Sequence, residues 1–209
     1  MPSASKLERW RDPVAAEVYD ARRFGGRLGR IKHARDARVV LALLARVSGV
    51  ATVLDLPAGT GRLLPELASA GYRAAGADLS REMLRAGAQR APEAPRVQGD
   101  GRHLPFAAGA FDAVVSVRFL FHVEEPELRR RFLSELARVA RLAVVGEVRW
   151  GATAKHVTRR LRRHARLRPA FDAAGLAREL GAAGLVLEEL RPVSRLFSDK
   201  AFFLARPGG

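Results

Sequence analysis

The chain has 209 residues, 48% hydrophobic and 28% charged, the balance of a folded domain with room for one buried sheet and its covering helices. It contains no cysteine, which excludes disulfides, thiolate metal sites, iron–sulfur clusters and a cysteine nucleophile. Thirty-seven Lys and Arg against 22 Asp and Glu leave a net charge of +15, a field that attracts nucleic acid, anionic lipid or an acidic small molecule. Nearly all of those cations are arginine and alanine is abundant, a bias that GC-rich coding produces by itself.

Residues 1–50 read as an N-terminal helical cap of two helices, with "RRFGGRLGRIKH" (22–33) as a glycine-broken basic link between them. The opening "MPSASKLERWRDP" has no apolar core of a secretory signal, and no stretch reaches the roughly 18 apolar residues of a spanning helix. A soluble, cytoplasmic protein is expected. From residue 51 to 209 strand and helix patterns alternate. "ATVLDL" (51–56), "YRAAGAD" (72–78), "RVQGD" (96–100), "FDAVVSV" (111–117) and "RLAVVGEV" (141–148) are predicted strands. The stretches 61–71, 80–91 and 125–140 between them are predicted helices, with Ser80 as an N-cap and Gly71 as a stop. After a further helix at 171–184, "LVLEELRPV" (185–193) and "DKAFFLARP" (199–207) follow with only "SRLFS" between them. So short a link makes that pair antiparallel. The expected fold is α/β: a doubly wound seven-stranded sheet, mostly parallel, closed by an antiparallel C-terminal hairpin, with helices on both faces.

In such sheets ligands sit beyond the carboxyl ends of the strands. The turn "PAGTG" (57–61) after the first strand is the natural floor of a site, because Gly59 and Gly61 allow a ligand close to the backbone. A dinucleotide turn would place a third glycine where Leu64 stands. Asp78 ends the second strand 23 residues after Asp55, where a carboxylate can take both ribose hydroxyls, and Asp100 ends the third. Carboxylates gathered on one rim repel one another, so a ligand-binding purpose explains them better than helix capping does.

The run "VLDLPAGTGR", "GADLSREML", "VQGDGRHLPF", "GAFDAVVSVRFLFHV" over residues 52–123 resembles the successive motifs of the class I, Rossmann-like S-adenosylmethionine-dependent methyltransferases, in their small-molecule, quinone-biosynthesis-like branch. The resemblance implies that 51–209 is an S-adenosylmethionine-binding domain. It assigns Asp55 and the backbone of Ala58, Gly59 and Gly61 to the methionine portion of the cofactor, and counts Pro57 and Thr60 among the cofactor-binding residues. Asp78 then takes the ribose, Leu79 and Met83 the adenine ring, and Asp100 with Gly101 and Arg102 the adenine amino edge. Ser116, Val117 and Arg118 line the reacting methyl. Pro57 stands where the family favours glycine, and the usual Pro-Gly-Gly turn before the fifth strand is missing.

Methyl transfer from a sulfonium needs positioning and desolvation more than a base. Where a base is used, His122 in "FLFHV" is the best-placed histidine; His103 sits in an exposed turn. Glu147 and Arg149 end the fifth strand and could orient a substrate, and an Arg from 22–38 could meet the cofactor's carboxylate. No "NPPY" or "DPPY" follows the fourth strand, against exocyclic base amines as acceptors. "RRLRRHARLR" (159–168), which contains His164 and follows His156, carries arginine all round and no clear stacking aromatics. An anionic small acceptor, or a lipid-like one at an anionic membrane surface, suits that segment better than single-stranded nucleic acid. The expected activity is methyl transfer to a small, anionic or lipid-like acceptor, with no metal. An RNA methyltransferase or nucleic-acid-binding module is the alternative, and a nicotinamide oxidoreductase a weaker one.

Overall fold

The computed structural model describes residues 18–20, 25–151, 170–194 and 198–208. Helix α1 (Arg27–Leu44) leads into β1 (Thr52–Asp55), α2 (Leu64–Ser69), β2 (Arg73–Asp78), α3 (Arg81–Ala86) and β3 (Arg96–Gln98). Then come β4 (Phe111–Ser116), α4 (Pro126–Val139), β5 (Ala140–Arg149), α5 (Ala173–Gly181), β6 (Leu185–Pro192) and β7 (Lys200–Pro207). The seven strands form one sheet in the order β3-β2-β1-β4-β5-β7-β6. β7 is antiparallel to both β5 and β6, and the other pairs are parallel. This is the sheet expected from the sequence, including its C-terminal hairpin.

Strand alternation sends successive side chains to opposite faces. On one face Val114, Val144 and Phe203 pack with Phe132 and Leu136 of α4 and Leu176 and Leu180 of α5. On the other, Ala113, Val145 and Phe202 pack with Val40 and Leu44 of α1 and Leu64 and Leu67 of α2. Gly146 sits under the Phe203 ring, where a Cβ would come within 2.3 Å of Cζ. Among the described residues no helix is long and apolar enough to cross a membrane.

The predicted link at 22–33 is corrected in part: α1 begins at Arg27 and carries Gly29 within it. One glycine costs a helix only about 1 kcal/mol, and the buried stripe Ala37, Val40, Leu43 and Leu44 outweighs it. The predicted helix 80–91 is also shorter, ending at Ala86 with Gly87 as its C-cap before a 3-10 turn at Ala88–Arg90. The basic segment 152–169, including His156 and His164, lies outside the described residues, as do residues 1–17 and 21–24.

Candidate active site

The chain leaves β1 at Asp55 and is tied at once to both neighbouring strands. Leu56 N–H donates to Val115 O at 2.9 Å, and Ala58 N–H to Ala77 O at 2.8 Å. Gly59 and Gly61 then take φ of +56° and +67°, the left-handed region open to glycine at little cost. Gly87 supports the turn from behind: a Cβ there would lie 2.0 Å from the carbonyl oxygen of Thr60. Sequence motifs give Gly87 no such part, since the contact joins residues 27 positions apart.

Asp78 faces this turn from the end of β2. Its Oδ2 accepts from Gly59 N–H at 2.7 Å and its Oδ1 from Ser80 N–H at 2.9 Å. Ser80 caps α3 by accepting from Met83 N–H at 3.1 Å, which brings Met83 to the cavity wall. Burial pushes the Asp78 carboxyl up, against the backbone bonds from Ser80, Gly59 and Leu79. Asp55 is 3% exposed, and among the described residues no hydrogen bond meets its carboxylate. Burial raises it to about 7; Arg118 opposes that rise, while Asp78 and Glu66 add to it. Beyond β3, Arg102 Nε bonds Asp100 Oδ1 at 2.9 Å. That hydrogen bond holds the Asp100 carboxyl below its ordinary value.

One cavity joins these groups. Asp55, Pro57, Ala58, Gly59, Thr60, Asp78, Leu79, Met83, Asp100, Gly101, Arg102, Val117 and Arg118 line it, as do Tyr19 and Arg62. Its far wall is apolar, built of Leu56, Phe119, Val123, Leu128 and Phe132. The Phe119 and Phe132 rings are 4.6 Å apart. Gly101 borders Phe132 so closely that a Cβ would come within 2.5 Å of the ring.

Three residues assigned from the sequence are not in that lining. Gly61 faces Leu64 beneath the turn, Ser116 is wholly buried in β4, and His122 lies in a 3-10 turn with its ring 4.6 Å from that of Phe121. Nor do Glu147 and Arg149 line it. Glu147 is wholly buried, accepts from Arg118 N–H at 2.9 Å and is ion-paired with Lys200. Burial raises its carboxyl despite Lys200. The contact holds the backbone of Arg118, whose φ of +64° is unusual for a residue with a side chain. Arg149 pairs with Asp199. His103 is exposed.

Sequence motifs also give no sign of Tyr19, Arg62 or the anchoring of Asp20. Asp20 accepts from Thr60 Oγ1 at 3.0 Å, lies 3.6 Å from Arg62 and pairs with Arg90. These contacts tie residues 18–20 to the glycine turn and bring Tyr19 to the cavity. No periodicity signals a bond from residue 20 to residues 60 and 90. The arginines in the lining are Arg62, Arg102 and Arg118, none of them from 25–38.

Residues 54–142 match the methyltransferase domain family. The chain is 34% identical over 145 residues to the demethylmenaquinone methyltransferase of Renibacterium salmoninarum, covering 66% of this chain and 59% of that protein. It is 39% identical over 132 residues to the demethylmenaquinone methyltransferase of Thermobifida fusca, covering 61% and 53%. The chain thus spans between half and three fifths of the length of these two relatives. The fold is that of magnesium protoporphyrin IX methyltransferase from Synechocystis with bound SAH, at a TM-score of 0.69 and 19% identity over 97% of this chain and 94% of that one. An S-adenosylmethionine-dependent methyltransferase from Clostridium acetobutylicum superposes with a TM-score of 0.68 and 14% identity, over 93% and 98%. Residues 54–142 thus carry the methyltransferase-domain match, and the glycine turn, the rim of carboxylates and the reversed strand β7 sit on a sheet with the fold of these S-adenosylmethionine-dependent neighbours.

Proposed function

We propose that the protein transfers the methyl group of S-adenosylmethionine to a small, lipid-like acceptor of the kind its relatives' name describes, a demethylated quinone ring. The observation that carries this reading is the division of one cavity into two unlike halves. Asp55, Asp78 and Asp100 stand around the glycine turn, and Leu56, Phe119, Val123, Leu128 and Phe132 close the other side.

The cofactor fits the first half on this chain's own chemistry. Among the described residues Asp55 is a buried carboxylate without a hydrogen-bond donor, and an ammonium group supplies both donors and charge. Asp78 uses one lone pair of each oxygen on backbone N–H groups and keeps others for two ribose hydroxyls. The left-handed Gly59 presents backbone rather than a side chain to the ligand. Bound there, the cofactor supplies an electrophilic methyl carbon on sulfur, with the bonding pair leaving to sulfur as the acceptor's nucleophile attaches.

The chain's part is to align and dry the reacting groups. Phe119 and Phe132, their rings inclined at 46° to each other, present an apolar aromatic wall that suits a ring acceptor and excludes water. Arg118, held in place through Glu147 and Lys200, brings a cation to the same cavity, suited to an oxygen-bearing ring that enters with an ionised hydroxyl. His122 lies outside the lining and carries no step in this proposal.

Calorimetric titration with S-adenosylmethionine and, separately, NADH is the first test, with binding expected for the former alone. Asp78→Ala is expected to weaken that binding by at least about tenfold, through loss of charged hydrogen bonds. Unchanged affinity in this variant would remove Asp78 from the site. Methylation of demethylated naphthoquinols, followed by mass shift, then tests the acceptor.

A further inference from the structure

Helix α1 has two unlike parts. From His33 onward its inner face is buried through Asp36, Ala37, Val40, Leu43 and Leu44. Its first two turns instead expose large aliphatic side chains: Leu28 is 71% and Ile31 55% exposed. Three positions apart, they share one side of the helix. Arg27, Arg30 and Lys32 are exposed around them. The first turn holds no acidic residue. Cations at a helix N-terminus oppose the macrodipole, so helix stability does not account for this composition, and neither does core packing.

The position of these turns gives them a purpose. Asp36 lies 3.9 Å from Lys200, which pairs in register with Arg149 at the carboxyl end of β5. Gly49, beyond the other end of α1, faces Leu142 near the start of β5, with a Cβ 3.8 Å away. α1 therefore runs opposite to β5, and its first turns extend past the edge that holds the cavity. At 1.5 Å per residue Leu28 stands about 12 Å beyond Asp36 along the helix.

We propose that these turns dock on an anionic membrane, with Leu28 and Ile31 entering the headgroup layer and Arg27, Arg30 and Lys32 meeting lipid phosphates. Aliphatic residues ringed by cations are the pattern of an interfacial helix. Nucleic-acid phosphates would use the cations but not Leu28 and Ile31, and "RLGRIK" (27–32) offers no ring for base stacking. The proposal rests on the reading of a lipid-like acceptor and deepens it: docking would turn the cavity edge toward the bilayer in which such an acceptor dissolves.

Vesicle sedimentation tests this with phosphatidylcholine alone and with added phosphatidylglycerol, for the wild type, Leu28→Ser/Ile31→Ser and Arg27→Glu/Lys32→Glu. S-adenosylmethionine affinity is titrated alongside. The wild type should bind only the anionic vesicles, and each double variant should lose at least about tenfold in partitioning while keeping its cofactor affinity. Wild-type protein that ignores anionic vesicles, or variants that bind them as well as the wild type, would overturn the docking surface. So would variants that lose binding to polyuridylate alone, which would assign the surface to nucleic acid. Intact cofactor binding with absent vesicle binding would refute docking without touching the methyltransferase reading.

Discussion

Strands β1 and β4 lie side by side, and each end of the pair buries one aspartate. At the amino end Asp112 is 8% exposed, and at the carboxyl end Asp55 is 3% exposed. Burial alone raises a carboxyl in both places. Asp112 accepts from Ala51 N–H at 2.8 Å, Thr52 N–H at 2.9 Å and Arg141 Nε at 3.0 Å, and these bonds bring it far below the usual carboxylate range. Among the described residues Asp55 has no such donors, and burial leaves it at about 7. One residue type therefore clamps the sheet at one end and, in the proposed function, meets the cofactor at the other. Satisfied buried polarity stabilises a fold, while unsatisfied buried polarity in a cleft makes a candidate binding site.

The largest effect is expected from the turn that makes the carboxyl end a site. Gly87→Ala forces its Cβ into the backbone of Thr60, so the turn must shift. A stability loss of at least about 3 kcal/mol is expected, together with loss of S-adenosylmethionine binding in the protein that remains folded. Thermal denaturation and titration check both, and an unperturbed turn would show that α3 can move aside. Asp112→Ala should come next, at about 3 kcal/mol of stability, because two backbone N–H groups and a guanidinium lose their acceptor. Its cofactor affinity should be unchanged, and a fall would contradict the separation of the two ends. Because its folded pKa is depressed, the wild-type stabilisation from Asp112 is present above its unfolded pKa and is lost as pH falls below that value.

Asp55→Asn should act in the opposite direction. With a folded pKa raised from 3.8 to about 7, Asp55 favours folding below its unfolded pKa, and that contribution is lost as pH rises through about 7. The Asn variant should therefore match the wild type near pH 4 and exceed it at pH 8 by up to about 4 kcal/mol, measured by denaturant titration. Wild-type affinity for S-adenosylmethionine should tighten as pH rises through about 7, when Asp55 ionises, and the variant should lose that dependence. A flat wild-type profile would mean that Asp55 does not meet the cofactor's positive charge.

The half of the cavity proposed to hold the cofactor is largely legible in consecutive residues. Asp55, Asp78 and the glycine turn lie in short motifs, and Asp78 reaches Gly59 across only 19 positions. The surroundings of the wall proposed to meet the acceptor are not legible in that way. Glu147 ends a strand and so reads as a rim residue, whereas it is wholly buried, bonded to Arg118 29 positions away and paired with Lys200 on the antiparallel β7. The reach of Asp20 to the glycine turn is hidden for the same reason. His122 follows the fourth strand in sequence, but the 3-10 turn that carries it packs its ring on Phe121 instead of placing it in the cavity.

Strand and helix periods, the reversed final strand and the motifs on the carboxyl edge are all written in neighbouring letters of the chain. Local backbone preference and side-chain alternation act over a few residues, so a short window is enough to read them. Three-dimensional packing alone settles which carboxylate meets donors among the described residues and which does not, which glycine props the turn, and which strand-end side chains face the cavity. Those outcomes depend on donors and rings that come together from distant parts of the chain.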